Sequence, residues 1–141
     1  MTPQRITLIT LATTDMTAAR AYYEKLGWVQ DSAVGDDVTF YRLNGQFFGL
    51  YDANKLAEDI GRPVDLPSSG AVTLATNYAT EAEVDAAVAA AENAGATVVS
   101  PAKKMHWGGY SATVAAPDGH LWEFAMNPFW PLNDDGAVIA S

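Results

Sequence analysis

An α+β fold built from two βαβββ repeats is what this sequence predicts, and three observations predict it. Each half reads strand, helix, strand, strand, strand with comparable spacing, over residues 5–52 and 70–127. Each half's long helix has a polar residue at its start and a glycine at its end, Asp15 and Gly27 in one half, Thr80 and Gly95 in the other. The last hairpins also align, Asn44-Gly45-Gln46-Phe47-Phe48-Gly49 with Asp118-Gly119-His120-Leu121-Trp122-Glu123. An internal repeat is a strong indication of architecture. It makes Gly49 the counterpart of Glu123.

In chain order, residues 6–12 alternate well enough for a strand. Asp15 caps a helix that runs to Leu26 and buries Ala19, Tyr22 or Tyr23, and Leu26. Strands are expected at 28–33, 38–43 and 46–51, with Gly35-Asp36-Asp37 between the first two and the tight-turn pair Asn44-Gly45 between the others. Residues 53–67 form a longer connection with a helical turn around 55–60, and connections of this length often serve as lids or binding loops. The second half begins with a strand at 71–77. Thr80 and Glu83 then have capping-box spacing, so two exposed N–H groups can be satisfied reciprocally. That helix buries Val84, Val88 and Ala91. A strand at 97–100, a loop at 101–109 and strands at 110–116 and 120–126 complete the repeat. The prolines of Asn127-Pro128-Phe129-Trp130-Pro131-Leu132 stop the last strand. This apolar tail should fold back over the protein or pack on a second subunit, with residues 133–141 loosely held.

Composition excludes several functions. There is no cysteine, so disulfide frameworks, thiolate metal sites and cysteine nucleophiles are absent. Eight Lys and Arg against seventeen Asp and Glu give a net charge of −9, with no basic stripe for nucleic acid or an anionic membrane. A cationic or neutral small organic ligand is compatible with that charge, although acidity also serves solubility. No apolar run is long enough to span a bilayer, and residues 1–5 do not begin a signal peptide, so a cytoplasmic location is expected.

The site chemistry gathers at Pro117-Asp118-Gly119-His120-Leu121-Trp122-Glu123-Phe124. Pro-Asp-Gly is a turn signal, because Pro fixes φ, Asp bonds nearby backbone and Gly accepts positive φ. On the strand that follows, Leu121, Glu123 and Ala125 share one face, while His120, Trp122 and Phe124 share the other. Glu123 is either a site carboxylate or an edge-strand residue in solvent. His106, in Met105-His106-Trp107-Gly108-Gly109-Tyr110, is the second candidate, since paired glycines let backbone approach a ligand closely or simply make a turn. His120 faces away from Glu123 and reads as structural. Among the aromatics, Tyr51, Trp107 and Tyr110 are the leading candidates to line a binding surface.

These repeats, the Ala21-Tyr22-Tyr23-Glu24-Lys25-Leu26-Gly27 helix ending and Pro117-Asp118-Gly119-His120-Leu121-Trp122-Glu123 resemble the vicinal oxygen chelate superfamily, the glyoxalase, bleomycin-resistance and dioxygenase family. The resemblance implies that each half curls into an open cup around a cavity, in a single glyoxalase-like domain that is commonly a homodimer. Metal-dependent members draw ligands from the first and last strand of each half. Carried over by position, that set is Leu8, Gly49, Thr73 and Glu123, and only Glu123 binds a divalent cation well. The expectation is therefore no metal and no other cofactor, with Leu8 and Thr73 as substrate-contacting positions. Two functions follow from the resemblance. One is a lyase or isomerase using Glu123 as general base, with His106 as a second catalytic group. The other is a metal-independent protein that binds or sequesters a small organic molecule.

Overall fold

The computed structural model describes residues 2–67 and 70–139. The elements run β1 (Leu8–Thr13), α1 (Met16–Lys25), β2 (Gln30–Val34), β3 (Val38–Arg42), β4 (Phe47–Asp52), α2 (Ala53–Ile60), β5 (Thr73–Asn77), α3 (Glu81–Ala94), β6 (Thr97–Lys104), β7 (Tyr110–Ala115) and β8 (Leu121–Met126). They form two compact units, 1–67 and 68–141. Each unit holds an open four-stranded sheet, ordered β1-β4-β3-β2 in the first and β5-β8-β7-β6 in the second. The first and last strands of each repeat pair in parallel, and the hairpins are antiparallel. This is the predicted α+β, two-βαβββ architecture.

Local chemistry explains the helices. Asp15 Oδ1 accepts the Ala18 N–H at 3.0 Å, which satisfies one of the orphan donors at the start of α1. Thr80 Oγ1 accepts the Glu83 N–H at 3.2 Å and donates to Glu83 Oε1 at 3.0 Å. The return contact from Glu83 thus goes to the cap hydroxyl, not to the cap N–H of the expected reciprocal box. Gly95, at φ 117°, ends α3 in the left-handed region. The connection at 53–67 is more helical than expected. Asp52 caps α2 by accepting the Lys55 N–H at 3.0 Å, so the helix begins where β4 ends.

In the first unit, Tyr22 and Tyr23 of α1 are buried against one face of the sheet. Tyr23 lies 5.1 Å from Phe48 and 5.9 Å from Tyr41, ring to ring, and Trp28 joins the cluster 5.0 Å from Tyr23. Arg20 ties the turn between β2 and β3 to α1. Its Nε donates to the buried Thr39 hydroxyl at 2.6 Å, its Nη1 to Asp36 Oδ1 at 3.0 Å, and its Nη2 to the Gly35 carbonyl. In the second unit, Val84 and Ala91 of α3 are buried together with Val114, Trp122 and Phe124 of the sheet. Val88 is only half-buried.

Two corrections concern the second unit. The segment from Pro101 continues β6 to Lys104 instead of forming a loop. β6 is an edge strand with register shifts on both sides of Ser100, and an edge position tolerates proline because it needs no donor on its open side. The tail is also better organised than expected. Leu132 pairs with Val138, and Asn133 Oδ1 accepts the N–H groups of Asp135 at 2.9 Å and Ala137 at 3.0 Å. Residues 140 and 141 lie outside the described residues.

Candidate functional site

Register decides what each sheet presents on the face away from its long helix. In the second unit, Trp122 and Phe124 turn toward α3, so Leu121, Glu123 and Ala125 occupy the opposite face. Glu123 stands across from Ala75 on β5 and Thr113 on β7. Directly opposed residues on neighbouring strands place their side chains about 5 Å apart, so the Thr113 hydroxyl is within reach of anything Glu123 holds. Thr73 lies beside Leu121 on the same face. Glu123 is half-buried, and its carboxylate has no hydrogen bond or ion pair among the described residues. Leaving a carboxylate unpaired in a partly apolar setting is costly unless something else solvates it.

The first unit repeats this geometry with different side chains. Gly49 stands across from Thr10 on β1 and Phe40 on β3, the places taken by Ala75 and Thr113 in the second. A Cβ on Gly49 would meet two Phe40 ring carbons at 3.4 and 3.5 Å and Leu8 Cδ1 at 3.6 Å. Leu8, Gly49 and Phe40 therefore form one contiguous surface with Phe47. Tyr51 shares this face by alternation, and its hydroxyl donates to Asp59 of α2. That hydrogen bond holds the Tyr51 phenol above its ordinary pKa, since the carboxylate favours the protonated form.

Two expected site residues lie elsewhere. Tyr110 pairs with Met126, which puts it on the α3 side of the sheet, and its hydroxyl donates to Asp85 of α3 at 2.7 Å. It does not share the Glu123 face. The same bond raises its pKa. His106 is exposed in the turn between β6 and β7, closed by the Gly108 N–H to the Met105 carbonyl at 3.0 Å. That turn lies beyond the Tyr110–Met126 pair, so three strand residues, roughly 10 Å, separate Glu123 from its base. The paired glycines serve packing. A Cβ on Gly109 would fall 1.9 Å from Trp107 Cζ3 and 2.6 Å from the Met126 carbonyl oxygen, and one on Gly108 would come 3.3 Å from Phe129. Trp107 thus lies against its own hairpin. Thr113 carries no sequence motif that marks it for the site, although alternation back from the 117–119 turn places it opposite Glu123.

The four positions that the resemblance carries over as a ligand set do not fit a metal. Leu8 and Gly49 carry no donor, and the Thr73 hydroxyl is a poor ligand beside a single carboxylate. Among the described residues, no three His, Asp or Glu side chains come together in a way that could hold a metal ion. No helix among them is long and apolar enough to cross a membrane. The first unit also has an open cleft of about 410 Å³, lined by Gly27, Trp28, Val29, Tyr41, Arg42 and Leu43. Tyr41 is buried there, and its hydroxyl has no hydrogen-bond partner among the described residues.

A four-stranded sheet in each of two βαβββ repeats, with a carboxylate in one at the position a glycine takes in the other, defines a two-repeat α+β protein. Over residues 5–124 the chain matches the Glyoxalase/Bleomycin resistance protein/Dioxygenase superfamily, and it belongs to that family. It is similar to a glyoxalase-related enzyme from Fulvimarina pelagi, with a TM-score of 0.90, 35% identity and 99% of each chain covered. A glyoxalase/bleomycin resistance protein/dioxygenase from Nocardioides has a TM-score of 0.77 at 26% identity, over 89% of this chain and 85% of that one. The lactoylglutathione lyase of Agrobacterium tumefaciens shares the fold, with a TM-score of 0.69 at 22% identity over 92% of this chain and 98% of its own. No curated protein matches the chain.

Proposed function

We propose that this chain is a glyoxalase-related lyase or isomerase acting on a small carbonyl compound without the metal of its relatives, with Glu123 as general base. The observation that carries the reading is the half-buried Glu123 carboxylate, unpartnered in mid-strand and opposite the Thr113 hydroxyl. A carboxylate oxygen of Glu123 takes a proton from the carbon next to the carbonyl. The C–H electron pair moves into the new C–C double bond, and the carbonyl pair moves onto oxygen. Thr113 donates a hydrogen bond to the oxygen as it becomes negative. In a substrate with a hydroxyl on the first carbon, Glu123 returns the proton to the former carbonyl carbon. That hydroxyl gives its proton through water to the old carbonyl oxygen and becomes the new carbonyl, which completes a 1,2-shift with no net change in oxidation state. Neutral donors stabilise an enolate less than a cation does, so a slow reaction is expected. The similarity to the Fulvimarina pelagi enzyme supports the enzymatic reading.

A second reading is favoured by the apolar face of Leu8, Phe40 and Phe47: a protein that binds and sequesters its ligand without chemistry, similar to bleomycin-resistance proteins. Solvent-deuterium exchange at the α-carbon of 2-oxoaldehydes and 2-hydroxyketones, followed by NMR, separates the two. Enzyme-dependent exchange that Glu123→Gln abolishes while Glu92→Gln leaves it intact supports the base. Exchange that survives Glu123→Gln overturns it.

A further inference from the structure

The face of the first sheet that carries Gly49 has a chemistry of its own. Phe40 and Phe47 stand edge to face with centroids 6.4 Å apart, and both remain partly open to solvent. Between them Gly49 raises no side chain, while Leu8 extends the apolar floor. At the end of β3 the Arg42 guanidinium lies over the Phe47 ring, with Cζ 4.7 Å from the centroid. Among the described residues its carboxylate partner is Asp31, reached through Nη2 at 3.3 Å, and the Arg42 side chain is 67% exposed. A guanidinium has five N–H donors in a fixed fork, so one monodentate contact leaves most of them unused.

We propose that this surface binds a planar organic acid, its conjugated or aromatic part lying on Phe40 and Phe47 and its carboxylate taken by the open edge of Arg42. Charge selects the anion. A cationic ligand lying on these rings is repelled by Arg42, and a neutral one leaves the guanidinium fork to water. An anion gains a charge-assisted contact from a group that the Phe47 ring already holds in place, so little side-chain freedom is lost on binding. In a chain with seventeen acidic residues and eight basic ones, a stacked, exposed arginine at the rim of an aromatic floor is a selective feature. Gly49 keeps the floor open, because a Cβ there would already touch Phe40 at 3.4 Å and Leu8 at 3.6 Å and fill the space between them. The inference rests on the small-molecule reading given above but does not require Glu123.

The test uses benzoate as probe, with benzyl alcohol and benzylamine as neutral and cationic analogues, on the full chain labelled with ¹⁵N. Benzoate is expected to shift the amides of Phe40, Phe47 and Gly49 and the Arg42 Nε signal in the millimolar range, with both analogues weaker. Arg42→Gln should weaken benzoate about tenfold, the loss of one charge-assisted contact. Phe47→Leu should weaken all three probes. The readout is binding and not proton exchange, so failure of the base assignment leaves this result untouched. Shifts that map away from these residues, no shift at tens of millimolar, or equal benzoate affinity in Arg42→Gln overturns the proposal.

Discussion

Gly49 and Glu123 occupy the same position in two sheets of the same topology: each sits on the last strand of its repeat, three residues into it, between a parallel and an antiparallel neighbour. Across the antiparallel ladder, Gly49 faces Phe40 and Glu123 faces Thr113. One half thus presents rings and an arginine, and the other presents a carboxylate and hydroxyls. Leu8 and Gly49 carry no donor, so the chelate that the resemblance implies lacks ligands at two of its four positions.

The purified protein is therefore expected to contain no stoichiometric divalent metal. Ligands that bind only the folded state stabilise it by mass action, so saturating Ni²⁺, Zn²⁺ or Mn²⁺ should leave the melting temperature unchanged. Elemental analysis near one metal per chain, together with a clear thermal shift, refutes this.

A two-fold dimer is expected in solution. Phe129 and Trp130 are 73% and 54% exposed, and Val138 and Ile139, further along the tail, are exposed too. Soluble monomers rarely present apolar groups in such concentration. Sedimentation at micromolar concentration reads the mass directly, and a clean monomer counts against the expectation.

Much of this framework was legible in the sequence because it rests on local chemistry. The caps at Asp15 and Thr80, the Asn44-Gly45 and Pro117-Asp118-Gly119 turns and the Gly49–Glu123 equivalence all depend on residues a few positions apart. Tyr110 shows where local reading stops. Its face is fixed only once the β7–β8 turn pairs Ala115 with Leu121, which puts Thr113 opposite Glu123 and Tyr110 on the helix side. The role of Gly109 was hidden more deeply, since the Trp107 ring and the Met126 carbonyl reach it through folding and leave no mark in the local pattern.

Gly109→Ala should cost about 1–3 kcal/mol, the usual range for forcing atoms into a packed site. The Trp107 ring can move away from the new methyl group, but the Met126 carbonyl, 2.6 Å from the Cβ position, belongs to β8 backbone. Denaturant melts supply the stability, and tryptophan emission compared against Trp107→Phe reports the ring. Wild-type stability with unchanged emission means that Trp107 does not lie on Gly109.

Tyr41→Phe should stabilise the protein by about 1 kcal/mol. The Tyr41 hydroxyl is enclosed with no partner among the described residues, and an unsatisfied buried donor costs roughly 1–3 kcal/mol. Burial raises the phenol pKa for the same reason, with Glu24 adding to the shift and Arg20 opposing it. The ring contacts with Tyr23, Trp28 and Phe48 survive the substitution. A loss of stability on equilibrium unfolding shows instead that the hydroxyl is satisfied, for example by an ordered water.

Asp118 carries the clearest pH signature. Its Oδ1 accepts the His120 N–H at a long 3.4 Å, while Oδ2 is buried with no partner among the described residues. Burial raises its pKa above the ordinary 3.8, and the His120 charge and the backbone N–H contacts only partly oppose this. A raised carboxyl pKa means that the folded state holds the proton more tightly than the unfolded chain does. The contribution of Asp118 to stability is then full below pH 3.8 and is lost as pH rises through the folded value, so at neutral pH the ionised group is a burden. Asp118→Asn keeps the acceptor for the His120 N–H and removes the charge. Relative to wild type, the variant should gain stability between about pH 3 and pH 7, with the whole gain in place once wild-type Asp118 is ionised. Urea melts of both proteins across that range measure the difference. A difference that stays constant with pH, or moves against Asp118→Asn as pH rises, means that the Asp118 carboxylate is well solvated in the folded protein.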